Sequence, residues 1–217
     1  MITAPCIVVA DDHPLFRDAL SGIVSVGFKD AKVVSAEDLT TTIAALENTP
    51  DVDLVLLDLN MPGVQGFSGL IFLRGQYPTI PIIVVSGSED VDTIRRSVSL
   101  GASGFIPKSS NTDTMKSALT AVLEGGVWVP DQAAIDNDNR DDELLEIASR
   151  LSTLTPQQMR VLMMLKEGLL NKQIAFELNV SEATVKAHVS AILQKLDVNS
   201  RTQAVIVASK IATTDRP

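Results

Sequence analysis

Three aspartates, a serine and a lysine stand at the ends of strand-like apolar runs. Asp11 and Asp12 follow Ile7–Ala10, Asp58 follows Leu54–Leu57, Ser86 follows Ile82–Val85, and Lys108 comes just after Ser103–Ile106. If these runs are neighbouring parallel strands, their carboxyl ends converge and the five side chains share one rim. Two carboxylates ~4 Å apart repel by about 4 kcal/mol at an effective dielectric near 20, so such a cluster requires a cation or raised pKa values. Oxygen donors alone favour a hard cation, Mg²⁺ before Ca²⁺. With a hydroxyl and an ammonium on the same rim, the set has the parts for phosphoryl transfer to a carboxylate. Asp58 would be the nucleophile, Mg²⁺ and Lys108 would neutralise the equatorial oxygens, and Ser86 would hydrogen-bond one of them. Singly, each residue is ordinary: an aspartate at a strand end or helix cap, a solvated lysine. The coincidence of all five is what argues for a site.

The elements that would hold this rim can be read from the same stretch. Strand candidates are Pro5–Ala10, Ala31–Ala36, Asp53–Leu57, Ile80–Val85 and Ser103–Ile106. Most are near-continuous β-branched or leucine runs, as expected of parallel strands covered on both faces. Helical patterns lie between them: Phe16, Ala19, Leu20 and Ile23 recur at 0, 3, 4, 7, and so do Met115, Ala118, Leu119 and Val122. Five strands alternating with five helices predict a doubly wound, flavodoxin-like α/β unit in strand order 2-1-3-4-5, whose crevice lies beyond the carboxyl ends of the strands. Trp128-Val129-Pro130 closes the unit.

Composition bounds the rest. At roughly 150 residues per domain, 217 residues make one large domain or two small ones. Hydrophobic residues are 45% and charged residues 21% of the chain, too apolar for a disordered protein. Apolar runs stay far short of the ~18 residues needed to span a bilayer, and the N-terminus has no signal-peptide pattern. A cytoplasmic protein with no membrane partner is expected. The single cysteine, Cys6, reads as a small buried hydrophobe. Net charge is −9, unevenly spread: residues 1–130 carry −7, residues 131–150 carry −5, and residues 151–217 carry +3. A basic tail behind an acidic front hints at a nucleic-acid partner.

Asp131–Asp142 is rich in Asp and Asn and reads as a solvated linker, and Glu143–Leu151 is patterned for a helix. The tail shows four helix signals and no strand. Thr155, Pro156 and Gln158 supply an N-cap, an N1 proline and a capping box. Gly168 ends that helix, Asn171 caps a short second one, Asn179-Val180 turns the chain, and Ser181 caps a third running to about Leu196. A fourth begins near Ser200. Two helices across so short a turn predict a helix-turn-helix. In the third helix Val185, Val189, Ile192, Leu193 and Leu196 form an inward stripe, leaving Thr184, Lys186, Ala187, Ser190 and Ala191 outward. Small residues let a helix enter a major groove, and Thr184, Lys186 and Ser190 can reach phosphates or base edges. A helical protein-interaction bundle is the alternative on pattern alone. His13 reads as a helix start, His188 as packed against backbone or phosphate, and Met159, Met163 and Met164 as core filling.

Two resemblances sharpen this reading. Asp11-Asp12, the run Leu54–Gly63, Ser86 and the run Gly101–Lys108 resemble the receiver domain of bacterial response regulators over roughly residues 3–128. The resemblance implies that Asp58 accepts a phosphoryl group from a histidine kinase. It also implies that Asp12, Asp58 and the Asn60 main-chain carbonyl bind Mg²⁺, with Asp11 acting through an intervening water. Ser86 and Phe105 fall at the family's two switch positions. Many receivers carry a proline after the lysine; here Pro107 precedes Lys108 and Ser109 follows, which argues against a cis peptide there. The segments Leu154–Pro156, Gly168, Asn171–Ala175 and Ser181–Val189 resemble the LuxR-type output domain, so the chain as a whole is similar to NarL/FixJ-type response regulators. That implies DNA contacts from helix Glu182–Leu196, chiefly Lys186, Ala187 and Ser190, with phosphate contacts from Thr184, Asn171 and Lys172. Gln158 stands where the family usually has Glu, and Ser190 where many members carry a basic residue.

The expectation is a receiver over 1–128, an acidic, partly helical linker over 129–150, and a helix-turn-helix domain over 151–217. The chain would be a transcriptional regulator, not a turnover enzyme. A Mg²⁺-dependent phosphohydrolase working through Asp58 is the rival, disfavoured by the missing cap domain, and a phosphate-independent DNA-binding dimer is a third reading. Unphosphorylated, the acidic front would shield the basic tail or hold it monomeric. Phosphorylation would draw in Ser86 and Lys108, reposition Phe105, alter the surface of the fourth and fifth helices, promote dimerisation and free the recognition helix. Thr202–Lys210, apolar on more than one face, is the candidate dimer surface.

Overall fold

A computed structural model of the protein describes residues 4–62, 64–130 and 142–212. Gly63, the bulk of the acidic linker (131–141) and residues 213–217 lie outside the described residues. The strands in chain order are β1 (Cys6–Ala10), β2 (Lys32–Ala36), β3 (Leu54–Asp58), β4 (Asn60–Met61), β5 (Val64–Gln65), β6 (Ile82–Ser86) and β7 (Gly104–Pro107). Five of them make one parallel sheet in the order β2-β1-β3-β6-β7. With β4 and β5 set aside as a separate two-stranded hairpin, this is the expected 2-1-3-4-5 order. The three inner strands β1, β3 and β6 and the edge strand β7 are buried along their whole length, the reason they read as unbroken apolar runs. β2, at the edge, is partly exposed.

Helices α1 (Pro14–Gly27), α2 (Leu39–Asn48), α3 (Ser68–Gln76), α4 (Val91–Ser99) and α5 (Thr112–Leu123) cover the sheet. The α5 stripe Met115, Ala118, Leu119 and Val122 is buried as its spacing predicts. In α1 the inward line is Leu20 and Val24, while Ala19 is exposed, so that stripe is rotated from the expected one. Trp128 closes the unit: its carbonyl accepts from Phe105 N at 3.0 Å and its N–H donates to Ser103 O at 3.2 Å.

The tail is all helical: α6 (Asp142–Ser152), α7 (Pro156–Lys166), α8 (Asn171–Glu177), α9 (Glu182–Lys195) and α10 (Arg201–Ala212). Thr155 and Gln158 form the predicted capping box, and Gly168 sits at φ +85°, where a Cβ would be strained. Asn179 adopts the left-handed conformation in the α8–α9 turn, and Ser181 caps α9 by accepting from Thr184 N at 3.1 Å. Asn171 does not cap α8. Leu170 holds the cap position, and the Gln173 side chain satisfies its N–H at 2.7 Å. Val185, Ile192 and Leu196 are fully buried, and Val189 and Leu193 half-buried.

The two units share one continuous apolar core, in which α3 packs against α6. Ser68–Leu73 are six consecutive buried residues, because α3 is covered by the sheet on one side and by the helical unit on the other. The approach is close enough to require glycine: a Cβ on Gly75 would lie 2.5 Å from the Ser152 Cβ. Gln76 Nε2 donates to Ser152 O at 3.3 Å, and Phe67 N donates to Ile211 O at 3.0 Å. This arrangement corrects the expectation that the acidic front shields the outward face of α9. Thr184, Lys186, Ala187 and Ser190 are all exposed, so the receiver-like unit covers α6 and the carboxyl end of α10, not the recognition face. Helix α10 buries Ala204, Ala208 and Ile211 fully, leaves Val205 and Val207 partly exposed and Ile206 52% exposed.

Candidate functional site

The sheet builds the acidic site by register. Ala10 pairs with Leu57 and Asp58 with Val85, so Asp11 and Asp58 end adjacent strands and Ser86 ends the next. Asp58 and Ser86 are the last residues of β3 and β6, one position earlier than expected. Lys108 emerges just past β7, its N–H donating to Ser86 O at 2.7 Å. Its Nζ lies 2.8 Å from Asp11 Oδ2 and 2.9 Å from Asp58 Oδ2, bridging two almost fully buried carboxylates. Behind it, the Phe16 ring centroid is 4.9 Å from the ammonium, within cation–π range. An open cleft of about 480 Å³ exposes this group, lined by His13, Leu15, Phe16, Asp58, Asn60, Gly87 and Lys108.

Local bonds fix the carboxylates. Asp11 Oδ1 accepts from His13 N at 2.8 Å, and the Asp11 carbonyl accepts from Arg17 Nη1 at 2.6 Å. Asp58 Oδ1 accepts from Asn60 N at 3.3 Å. Burial pushes the Asp58 carboxyl above its ordinary range, with Asp11 adding to the rise and Lys108 opposing it. Burial works against the Lys108 ammonium, but its bonds to Asp11 and Asp58 win and hold it above the usual lysine value.

The donor set suits a hard cation. Asp11, Asp12, His13 and Asp58 each place one ligand atom within 4.8 Å of the others. Asp11 Oδ2 and Asp12 Oδ1 are buried; Lys108 Nζ stands 2.8 Å from the first and His13 Nδ1 2.8 Å from the second. Three carboxylates so close together repel one another, and one ammonium does not neutralise them, so the cluster favours a further cation. Asn60 begins the hairpin two residues beyond Asp58.

Ser86 is 1% exposed and Phe105 fully buried, its ring already inside the sheet. The Ser109 hydroxyl donates to Glu89, tying the loops after β6 and β7 together, and no cis peptide bond occurs among the described residues. In the sequence Phe16 shows only as a core-stripe residue; its place over Lys108 has no signal there beyond proximity to Asp11-Asp12.

The second cluster lies on α8 and α9. Thr184, Lys186, Ala187, Ser190 and Lys172 are exposed and Asn171 half-buried. Lys186 pairs with Glu182 one turn earlier at 3.3 Å. Asn171 Oδ1 accepts from Arg201 Nη1 at 3.2 Å, and Arg201 also donates to the Leu169 carbonyl, so α10 anchors the start of α8. Arg201 was missed because it lies 30 residues from its partner. His188 is half-buried and His13 mostly exposed at the start of α1.

Comparison with known proteins assigns a family to each of the two units. Residues 7–120 match the family described as "Response regulator receiver domain", and residues 152–208 that described as "Bacterial regulatory proteins, luxR family". The chain is 41% identical over 210 residues to a glycerol metabolism activator of Pseudomonas putida, covering 94% of this chain and 95% of that protein. It is 34% identical over 202 residues to the nitrate/nitrite response regulator NarP of Escherichia coli K12, covering 93% of each. In fold it is similar to RcsB of Salmonella enterica serovar Typhimurium, solved bound to a promoter with a phosphomimetic beryllofluoride. There the TM-score is 0.57 at 23% identity, over 96% of this chain and all of that one. Among the described residues no helix is long and apolar enough to cross a membrane.

Proposed function

The chain belongs to the response regulators, a receiver domain joined to a LuxR-family DNA-binding domain, and from that premise we propose that phosphorylation of Asp58 by a sensor histidine kinase switches its binding to DNA. It is a transcriptional regulator and not a turnover enzyme. The observation that carries the switch is the placement of Lys108 Nζ between Asp11 and Asp58, 2.8 and 2.9 Å away, at the carboxyl end of the sheet.

Asp58 attacks the phosphorus of a phosphohistidine; the new O–P bond forms as the P–N bond breaks, and the imidazole nitrogen keeps the electron pair and takes a proton. Lys108 is placed to follow the charge onto the phosphoryl oxygens, and Ser86 to donate a hydrogen bond to one of them. Asp11, Asp12, Asp58 and the Asn60 carbonyl would hold Mg²⁺, which when bound neutralises charge on those oxygens. Phe105 keeps its ring packed inside while the hydroxyl moves. The receiver spans 1–128, the linker 129–150 and the output domain 151–217.

DNA binding falls to Lys186, Ala187 and Ser190 on α9, with Thr184, Asn171 and Lys172 placed for phosphates. A tail of net +3 neutralises few phosphates, so one copy binds weakly and two copies on paired half-sites bind well. Phosphorylation therefore acts through dimerisation in the cytoplasm. Light scattering with Mg²⁺ and beryllofluoride, which stands in for the phosphoryl group, tests this. Wild type should pass from monomer to dimer and Asp58→Asn should not; an equal response from both would refute the reading.

A further inference from the structure

The hairpin that follows Asp58 ends on the output domain. Asn60, its first residue, donates its N–H to Asp58 Oδ1 at 3.3 Å. Across the antiparallel pair, Asn60 stands opposite Gln65. The Gln65 side chain then leaves the receiver: its Oε1 accepts from Lys166 Nζ, and its Nε2 donates to Glu167 Oε1 at 3.4 Å. Both partners lie at the carboxyl end of α7. The Gln65 main chain is clamped in turn, with its N–H donating to Ser68 Oγ at 3.0 Å and its carbonyl accepting from that hydroxyl at 3.0 Å. Two residues on, Phe67 N holds the Ile211 carbonyl at the end of α10. Within nine residues of Asp58 the chain thus makes one bond to the acceptor carboxylate and three to the helical domain.

We propose that the β4–β5 hairpin is the coupling element of this chain and Gln65 its positioning residue, relaying the state of Asp58 to α7 and α10 by a route separate from Ser86 and Phe105. This rests on Asp58 being the phosphoacceptor. Phosphorylation turns the Asp58 carboxylate into an acyl phosphate, which weakens it as an acceptor for Asn60 and adds charge beside it. A two-residue strand pair has little of its own to resist such a change, so a shift at Asn60 moves its partner Gln65. Lys166 is sensitive to that movement. Burial lowers its pKa, with Glu167 opposing, and a partly desolvated ammonium deprived of its acceptor favours water. Loss of the Gln65 bonds therefore loosens α7 and, through Phe67, the end of α10.

Amide hydrogen exchange on the full chain tests the relay, reading peptides of α6, α7 and α10 with and without Mg²⁺ and beryllofluoride. In wild type the ligand should raise exchange at the seam about tenfold, the scale of losing a charge-assisted hydrogen bond. Gln65→Ala should be raised at rest and respond less than about twofold, its link having been cut. Gln76→Ala removes the bond to Ser152, an interdomain contact unconnected with Asp58; it should be raised at rest yet keep the full response. A tenfold response in Gln65→Ala equal to wild type would overturn the relay. Mass spectrometry after acetyl phosphate treatment separates that failure from the deeper one: a phosphoryl group on Asp58 leaves the acceptor reading standing, whereas none in wild type overturns both.

Discussion

Lys195 Nζ donates to Gln158 Oε1 across 2.8 Å, joining the end of the recognition helix to the first turn of α7. The same ammonium donates to Thr153 O, and Gln158, only 8% exposed, also accepts from Thr155 N. A neutral amide thus occupies a place where the family usually has a carboxylate. Gln158→Glu keeps the capping geometry and converts the bond into a charge-assisted pair. It should stabilise the chain by about 1 kcal/mol, raising the calorimetric melting midpoint by roughly 2–4 °C. Lys195→Met in the same background should erase the gain.

Lys108 competes with any cation for Asp11 and Asp58, since its ammonium lies within 2.9 Å of both. Replacing it by methionine removes that positive charge while keeping the stem. Mg²⁺ should then bind several-fold more tightly by calorimetry. Phosphoryl uptake from acetyl phosphate should fall by about 10²–10³, the usual loss when one charge-stabilising donor is removed. Tighter metal with slower chemistry distinguishes this from unfolding, which would weaken both.

Phe16 backs the same ammonium at 4.9 Å. A partly buried cation–π contact is worth about 1 kcal/mol, so Phe16→Ala should slow phosphorylation of Asp58 by about fivefold, and Phe16→Tyr should restore it. Stopped-flow or mass-resolved time courses would show this. An alanine variant as fast as wild type would confine the ring to packing.

How much of this was legible depends on where each signal resides. The sheet could be read because β1, β3, β6 and β7 are buried on both faces and so appear as unbroken apolar runs. The acidic site followed, since Asp11, Asp58, Ser86 and Lys108 fall at the ends of those runs. The β4–β5 hairpin left no trace: two residues per strand cannot show a period of two. Gln65 and Lys166 lie 101 residues apart, and no local pattern announces their meeting. The exposed outward face of α9 and the partial burial of α10 have the same origin. Both depend on how two separately patterned units dock, which is decided at Gly75, Ser152, Phe67 and Ile211 and not within any one helix.

The recognition helix carries a reserve of charge that the sequence alone does not display. Lys186 is exposed but paired with Glu182 at 3.3 Å, so contact with a phosphate must first displace that carboxylate. An exposed i,i+4 pair is worth about 0.3–0.5 kcal/mol, and Glu182→Ala should therefore tighten binding to any duplex about twofold, more at low salt. Lys186→Ala should do the opposite and flatten the dependence of log K on log salt by about 0.9, the slope lost with one phosphate contact on B-DNA. Ser190, exposed on the same helix, offers the complementary change: Ser190→Arg should steepen the slope by a similar amount. If the arginine also prefers guanine at one operator position, the gain will differ between sequences, since bidentate base contacts discriminate by about 1–3 kcal/mol. A uniform gain across sequences would place the new side chain on the backbone. Fluorescence anisotropy over a salt series, on one specific and one random duplex, separates the two. A Ser190→Arg variant with an unchanged slope on both duplexes would show that this face of α9 does not meet DNA.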